Sequence, residues 1–315
     1  MKISVVEPLG ISDEQLRGLL EPAIEGFDAE LVTYPDRRED VESLIERSKD
    51  ADIVVVSNIK YPAQVMEQCP NLKYICDAFT GYDHIDMAYC REHGIQVSNC
   101  AGYSTVAVAD LVFGLLLAVY RNIVPCDAAV RAGGTKAGLV GPELEGKKFG
   151  IVGAGAIGGR VARIAQAFGC RVFAWSRTKK DLPGVTFVDT VEELLSTCDV
   201  VSLHVPQTPA TTGLINAERI ALMKPTAVLI NCARGPVVDS AALADALNEG
   251  RIAGAGIDVF ETEPPIAADH VLLHAKNVVA TPHVAFASNE AMYKRAAIVA
   301  GNVGAYLAGE PQNLV

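Results

Sequence analysis

Basic residues are scarce in this sequence: 27 lysines and arginines stand against 38 acids, for a formal net charge of -11. A protein of that sign repels phosphate backbones, which argues against a nucleic-acid partner. No C-x-x-C pair occurs among the eight cysteines at 69, 76, 90, 100, 126, 170, 198 and 232. Neither a structural zinc site nor a disulfide framework is therefore expected, and the thiols read as reduced and mostly buried. Long apolar runs are missing too. The longest, Val106 to Tyr120, is broken by Asp110 and closed by Arg121, well short of the roughly 20 residues that a membrane span needs. At the N-terminus, Glu7 and Pro8 come too early for a signal-peptide core. The expectation is a cytoplasmic protein with no membrane partner and no metal.

What is present is a chain of 315 residues, half of them hydrophobic and 21% charged, a size suited to two domains of roughly 100 to 200 residues each. Short apolar runs such as Ile53-Val54-Val55-Val56 alternate with helical patterns, the signature of parallel sheets with helices on both faces. A first α/β unit runs from the strand Ile3 to Glu7 to the strand Gln96 to Asn99, with helices over Asp13 to Leu20, Asp40 to Ser48 and Ala63 to Gln68. A long apolar helix, Thr105 to Tyr120, follows, and then a glycine-rich connector, Arg131 to Gly146. The last helix, Ser288 to Leu307, is expected to pack back on the first unit. The predicted fold is thus two Rossmann-like doubly wound parallel-sheet domains. Their expected limits are 1–99 plus 285–315 for the substrate-binding domain and 100–284 for the dinucleotide-binding domain, with the active site in the cleft between them.

The second unit opens on Gly153-Ala154-Gly155-Ala156-Ile157-Gly158, directly after the apolar run Phe149 to Val152 and before an amphipathic segment. Strand, tight turn and helix in that order suit a dinucleotide pyrophosphate. The first glycine makes the turn, the second admits the phosphates, and the third lets helix and strand pack closely. The phosphates then meet the positive end of the helix. Six further strands are expected, from Arg171 to Trp175 through to Val278 to Thr281, as two mononucleotide-binding halves require.

Polar residues close several of these apolar strands. Arg234 follows Asn231-Cys232-Ala233, Glu263 follows Asp258-Val259-Phe260, and His283 follows Thr281-Pro282. Ligands of open α/β sheets bind outside the carboxyl ends of the strands, so all three are expected at one crevice. Reducing a ketone requires a hydride donor, an acid for the developing alkoxide and a cation for an acidic substrate. His283 and Arg234 supply the last two, and a carboxylate at Glu263 favours the imidazolium. Singly each has a plainer reading, since a histidine after Thr-Pro also caps helices and an arginine beside glycine also binds helix C-termini. It is their joint setting that points to chemistry. His204 also closes a strand and is read as packing near the adenosine side; His84, His93, His270 and His274 are read as surface or loop residues.

These stretches, together with Leu203-His204-Val205-Pro206 and Ala280-Thr281-Pro282-His283, resemble the D-isomer-specific 2-hydroxyacid dehydrogenases across essentially the whole sequence, and within them the glyoxylate/hydroxypyruvate reductases. The resemblance implies that Arg234 holds the substrate carboxylate and carbonyl, that Glu263 partners the histidine, and that His283 is the general acid/base. It implies cofactor contacts at Gly153, Gly155, Ala156, Ile157, Gly158, His204, Val205, Pro206 and Ala233, and at Asp258 toward the nicotinamide carboxamide. Substrate contacts are implied at Gly81 and Tyr82, whose loop holds the carboxylate, and at Asn58, Tyr103 and Phe286. The long helix and the segment after Arg121 resemble dimerisation elements, so a homodimer is expected.

One departure bears on the cofactor. Where NAD-dependent members carry an aspartate that repels a 2′-phosphate, this protein has Ser176, followed by Arg177, Thr178, Lys179 and Lys180. A hydroxyl and three cations suit a phosphate, and NADP(H) is expected over NAD(H). One alternative is an NAD-dependent dehydrogenase of D-lactate or of branched D-2-hydroxy acids, suggested by Tyr103 and Phe286. Another is a cofactor-sensing binding protein on the same scaffold, as in the resembling C-terminal-binding-protein corepressors.

Overall fold

The computed structural model describes residues 1–315, which divide into two compact units, Met1–Ser104 with Ala287–Val315, and Thr105–Phe286. The first unit takes in Cys100 to Ser104, beyond the boundary expected at residue 99, because the Cys100 amide donates to Phe79 O at 2.8 Å and the Asn99 side chain to Thr80 O at 2.8 Å. Ala285 and Phe286 stay with the second unit. The Ala285 amide is tied to Asp258 Oδ2 at 2.9 Å.

In the first unit, β1 (Lys2–Val5), α1 (Asp13–Ile24), β2 (Glu30–Thr33), α2 (Val41–Ser48), β3 (Ile53–Val56), α3 (Ala63–Met66), β4 (Tyr74–Asp77), α4 (Met87–Glu92) and β5 (Gln96–Ser98) follow in sequence. The strands form one parallel sheet in the order β2-β1-β3-β4-β5. Every residue of β3 and β4 is buried, as strands covered on both faces must be. A capping box between Ser12 and Gln15 starts α1, satisfying two of the helix's orphan donors. The helix runs through Pro22 to Ile24, past the expected end at Leu20. Leu16, Leu20 and Ile24 make its buried stripe, and burying one more turn of that stripe outweighs the hydrogen bond that Pro22 cannot donate. The terminal helix Asn289–Leu307 packs against α1 and β4. Its Tyr306 ring stacks on Tyr74 with centroids 4.1 Å apart, and its buried Asn302 donates to Asn99 O at 3.1 Å.

The second unit comprises α5 (Thr105–Tyr120), α6 (Ile123–Arg131), β6 (Lys148–Val152), α7 (Ala156–Ala167), β7 (Arg171–Trp175), β8 (Val185–Phe187), α8 (Val191–Thr197), β9 (Val200–Leu203), α9 (Ala217–Ile220), β10 (Val228–Asn231), α10 (Ser240–Asn248), β11 (Gly254–Ile257) and β12 (Val278–Ala280). Its seven strands are parallel, in the order β12-β11-β10-β9-β6-β7-β8. The order reverses beside β6, so the crevice at its carboxyl end faces the glycine turn. Helix α5 buries Val112, Phe113, Leu115 and Leu116 and packs on β10, β11, β12 and α7. Helix α6 has no counterpart among the predicted elements. It has no side-chain cap and no buried residue, so neither a start signal nor an apolar stripe marks it in the sequence. No single helix is long and apolar enough to cross a membrane; α5 and α6 meet the length and composition test only jointly, across a 57° bend.

Candidate active site

The glycine turn has the shape that its spacing requires. Gly153 adopts φ +103°, and a Cβ there would stand 2.6 Å from His204 O, which excludes any side chain on both counts. A Cβ on Gly158 would come within 2.2 Å of Gly153 O, so this position holds helix and strand in contact. Gly155 differs, since a Cβ there would meet nothing within 4 Å. It stands at the start of α7, whose first-turn amides receive no side-chain cap. Uncapped amides beside open space, at the positive end of a helix, suit a pyrophosphate. Ala156 and Ile157 contribute the first of those amides.

At the end of β7, Ser176 is half-buried, and Arg177 and Thr178 are exposed. Lys179 is less available than its place in the sequence suggests, because its ammonium bonds Asp189 Oδ1 at 2.7 Å. Across the turn, His204 Nε2 lies 2.9 Å from Ser202 Oγ. Removal from water pushes its imidazole down to about 3, so it is neutral and serves as a wall with Val205 and Pro206. Those three, with Ala233, supply shape and no charge.

Arg234, Glu263 and His283 sit on turns that follow β10, β11 and β12. The turn at Arg234 is templated by buried Asn231, whose side-chain oxygen accepts from the Ala233 amide at 3.0 Å and whose side-chain nitrogen donates to Arg234 O at 2.9 Å. Gly235 follows because a Cβ there would overlap Phe260 O at 1.9 Å. The turn at His283 is braced by Asp258, which has no exposed surface. Its carboxylate accepts from the Thr281 hydroxyl at 2.5 Å and from the amides of Val284 and Ala285, both at 2.9 Å. His283 is held at φ +55°, a conformation that costs of order 1–3 kcal/mol for a residue with a side chain and is retained where the surroundings dictate it. Three donors thus occupy a carboxylate that has about four acceptor sites.

The two ionisable groups meet here. His283 Nδ1 lies 2.6 Å from Glu263 Oε2, and the imidazole is 10% exposed against 47% for the carboxylate. That contact makes Nδ1 the donor to Glu263. Phe286 lies edge-on to the His283 ring, with centroids 5.2 Å apart. The segment carrying Glu263 is tied by a second pair, His270 Nε2 to Glu261 Oε2 at 2.8 Å, so His270, the loop residue expected, braces that loop. Sequence reading overlooked Asn231, Thr281 and the Glu261–His270 pair. The available signal was a polar residue closing an apolar strand, as Asn231 does.

In the first unit, Gly81 and exposed Tyr82 follow β4, and Asn58 follows β3, its side-chain oxygen accepting from Arg37 at 2.9 Å. Tyr103 is 2% exposed. His84 stands in the loop after β4, as read, and is largely buried there, with Nε2 3.5 Å from Asp77 Oδ1.

Residues 113–285 match the family model described as "D-isomer specific 2-hydroxyacid dehydrogenase, NAD binding domain". The protein is 44% identical over 286 residues to a glyoxylate reductase of Thermococcus litoralis, covering 86% of each. It is 37% identical over 288 residues to a hydroxypyruvate reductase of Blautia hydrogenotrophica, covering 88% of each. Among solved structures, an NADPH-dependent glyoxylate/hydroxypyruvate reductase from Sinorhizobium meliloti, in complex with NADP and malonate, superposes with a TM-score of 0.85 at 32% identity, over 100% of this protein and 96% of that one.

Proposed function

From the premise that this chain belongs to the D-isomer-specific 2-hydroxyacid dehydrogenase family, we propose that it reduces a small 2-oxo acid of the glyoxylate or hydroxypyruvate kind to the D-2-hydroxy acid. The observation that carries this reading is the 2.6 Å contact between His283 Nδ1 and Glu263 Oε2, on turns that follow adjacent strands, with Arg234 on the turn after the next strand of the same sheet. The glycine turn, Ser176, Arg177 and Asp258 are the residues that would hold a reduced nicotinamide dinucleotide, which when bound supplies the hydride for C2 of the substrate. His283 holds the proton for the carbonyl oxygen at Nε2, and Glu263 fixes the ring tautomer. Arg234 pairs its planar fork with the substrate carboxylate and polarises the carbonyl. A grid of short 2-oxo acids against both reduced cofactors tests the reading.

NADPH is the preferred cofactor. Ser176 lacks the negative charge that would repel a 2′-phosphate, and exposed Arg177 with the Thr178 hydroxyl follows it. The Sinorhizobium meliloti relative, NADPH-dependent and in complex with NADP, supports this preference. We expect kcat/KM to be about tenfold or more higher with NADPH than with NADH, since one charge-assisted contact is worth roughly 1.5–3 kcal/mol. Ser176→Asp should reverse the order, and a clear NADH preference in the unaltered protein would contradict it.

The protein is proposed to work as a homodimer. Ile123, Val124, Val130 and Val140, on α6 and the connector that follows, are each more than half exposed. Apolar residues grouped in that way mark an interaction surface. Light scattering should return twice the 33.4 kDa mass of one copy, and Val124→Glu should yield monomers; a monomeric unaltered protein would refute the proposal.

A further inference from the structure

The loop that follows β11, residues 258–270, carries Glu263 and is fixed around Glu261. Its backbone there is pressed against the turn after β10, since a Cβ on Gly235 would stand 1.9 Å from Phe260 O and 2.6 Å from the Glu261 nitrogen. The Glu261 carboxylate accepts from His270 Nε2 at 2.8 Å and from the hydroxyl of Ser240, the first residue of α10. His270 is fixed in turn. The Leu272 amide donates to its Nδ1 at 3.3 Å, which caps the short 3-10 turn Val271–Leu273. With Nδ1 accepting, the ring proton sits on Nε2 and is directed at Glu261. The ring is 16% exposed and stands edge-on to buried Phe260, with centroids 5.0 Å apart. Phe260 and Leu272 both belong to the hydrophobic core of the second unit, so the brace is anchored there.

Isolated surface pairs contribute little, and this one differs in what it spans. Burial acts to raise the Glu261 carboxyl, but the bonds from Ser240 and His270 hold it below its usual range. The acceptor is therefore charged, and its hydrogen bonds are of the stronger, charge-assisted kind. Glu263 lies two residues further along the same loop and is 47% exposed. A carboxylate so open to water keeps its 2.6 Å contact with His283 Nδ1 only while the backbone beneath it stays in place. Capping Leu272 is the plainer role of His270, and it uses Nδ1 alone. The bond from Nε2 to Glu261 adds nothing to that cap; it ties the far end of the loop to the residue two before Glu263.

We propose that His270 and Glu261 are positioning residues for the reduction, holding the loop so that Glu263 stays on His283. The role rests on the reading of the protein as a 2-oxo acid reductase, and it is exerted through Glu263. Two replacements of His270 separate it from capping. His270→Asn keeps an acceptor where Nδ1 stood, and so keeps the cap, but is too short to reach Glu261; His270→Gln reaches Glu261. With glyoxylate and NADPH, His270→Asn should lower kcat about tenfold, less than the roughly hundredfold cost of a misplacement of about 1 Å. KM for NADPH and the melting temperature should not change. His270→Gln should stay close to the unaltered enzyme. Glu261→Ala removes the same bond and leaves the cap intact, so it should match His270→Asn, and it decides the matter if that variant does not fold. In a Glu263→Ala background His270→Asn should have no further effect, since residues that act through one another are not additive. An unaltered kcat in folded His270→Asn or Glu261→Ala, an equal loss in His270→Gln, or an additive loss in the Glu263→Ala background would overturn the role and leave the reductase reading standing. No turnover of any short 2-oxo acid by the unaltered protein would overturn both.

Discussion

Replacing Arg234 by methionine is expected to lower kcat/KM for a short 2-oxo acid by about a thousandfold, the upper size for loss of a group that stabilises a developing oxyanion. Arg234→Lys should recover only part of this, since an ammonium keeps the charge and loses the two-pronged match to a carboxylate. The loss should appear in KM as well as kcat, because Arg234 is assigned both to the substrate carboxylate and to the carbonyl oxygen. The backbone of the Arg234 turn is set by Asn231 and by the absence of a side chain at Gly235, so the variant should fold, and its melting temperature will show whether it does. Turnover within tenfold of the unaltered enzyme in a folded Arg234→Met protein would remove Arg234 from the site.

His283→Ala should cut kcat by about a hundredfold or more, the usual size of a general-acid contribution, while nucleotide binding, followed by fluorescence quenching, persists. The persistence matters, since the glycine turn and Ser176 are independent of the imidazole. Glu263→Gln should fall between the two proteins. Its amide oxygen still accepts from Nδ1–H and so preserves the tautomer, but a neutral hydrogen bond replaces the stronger charge-assisted one. A His283→Ala enzyme with near-normal kcat would refute the assignment of the proton to Nε2.

Those residues differ in how far the sequence reveals them. The glycine turn is legible because its geometry admits nothing else: Gly153 needs both a positive φ and a missing Cβ, and the neighbouring strand and helix identify themselves by period. The parallel sheets are legible for a related reason, since Ile53 to Val56 and Tyr74 to Asp77, buried on both faces, must read as apolar runs. Arg234, Glu263 and His283 stand out as polar residues at strand ends, and the resemblance supplied their roles. The supporting residues are harder to read. Asp258 bonds a turn more than twenty residues downstream, and its effect depends on the register of β11 against β12. The first unit is harder still. Glu7 accepts from the Ser57 amide and Arg295 donates to the Ser57 hydroxyl, and the sheet order that gathers these distant residues is a property of the tertiary fold. Helix α6 went unread because it buries nothing and so leaves no period.

The proposed cofactor choice rests on a local signal of the same kind. A missing acid at the end of β7 is a local signal, and Ser176 stands where that acid is usual. The pairing of Lys179 with Asp189 shows the limit of such reading, because four consecutive polar residues look alike in sequence while Lys179 is engaged and Arg177, Thr178 and Lys180 stay exposed without such a partner.

The most direct test is to mix the purified protein with NADPH and either glyoxylate or hydroxypyruvate, and to follow nicotinamide absorbance together with chiral analysis of the product. The account predicts steady oxidation of NADPH, one hydroxy acid formed for each cofactor consumed, D-glycerate as the product from hydroxypyruvate, and loss of this activity in His283→Ala. No oxidation of NADPH or NADH with any short 2-oxo acid would contradict it.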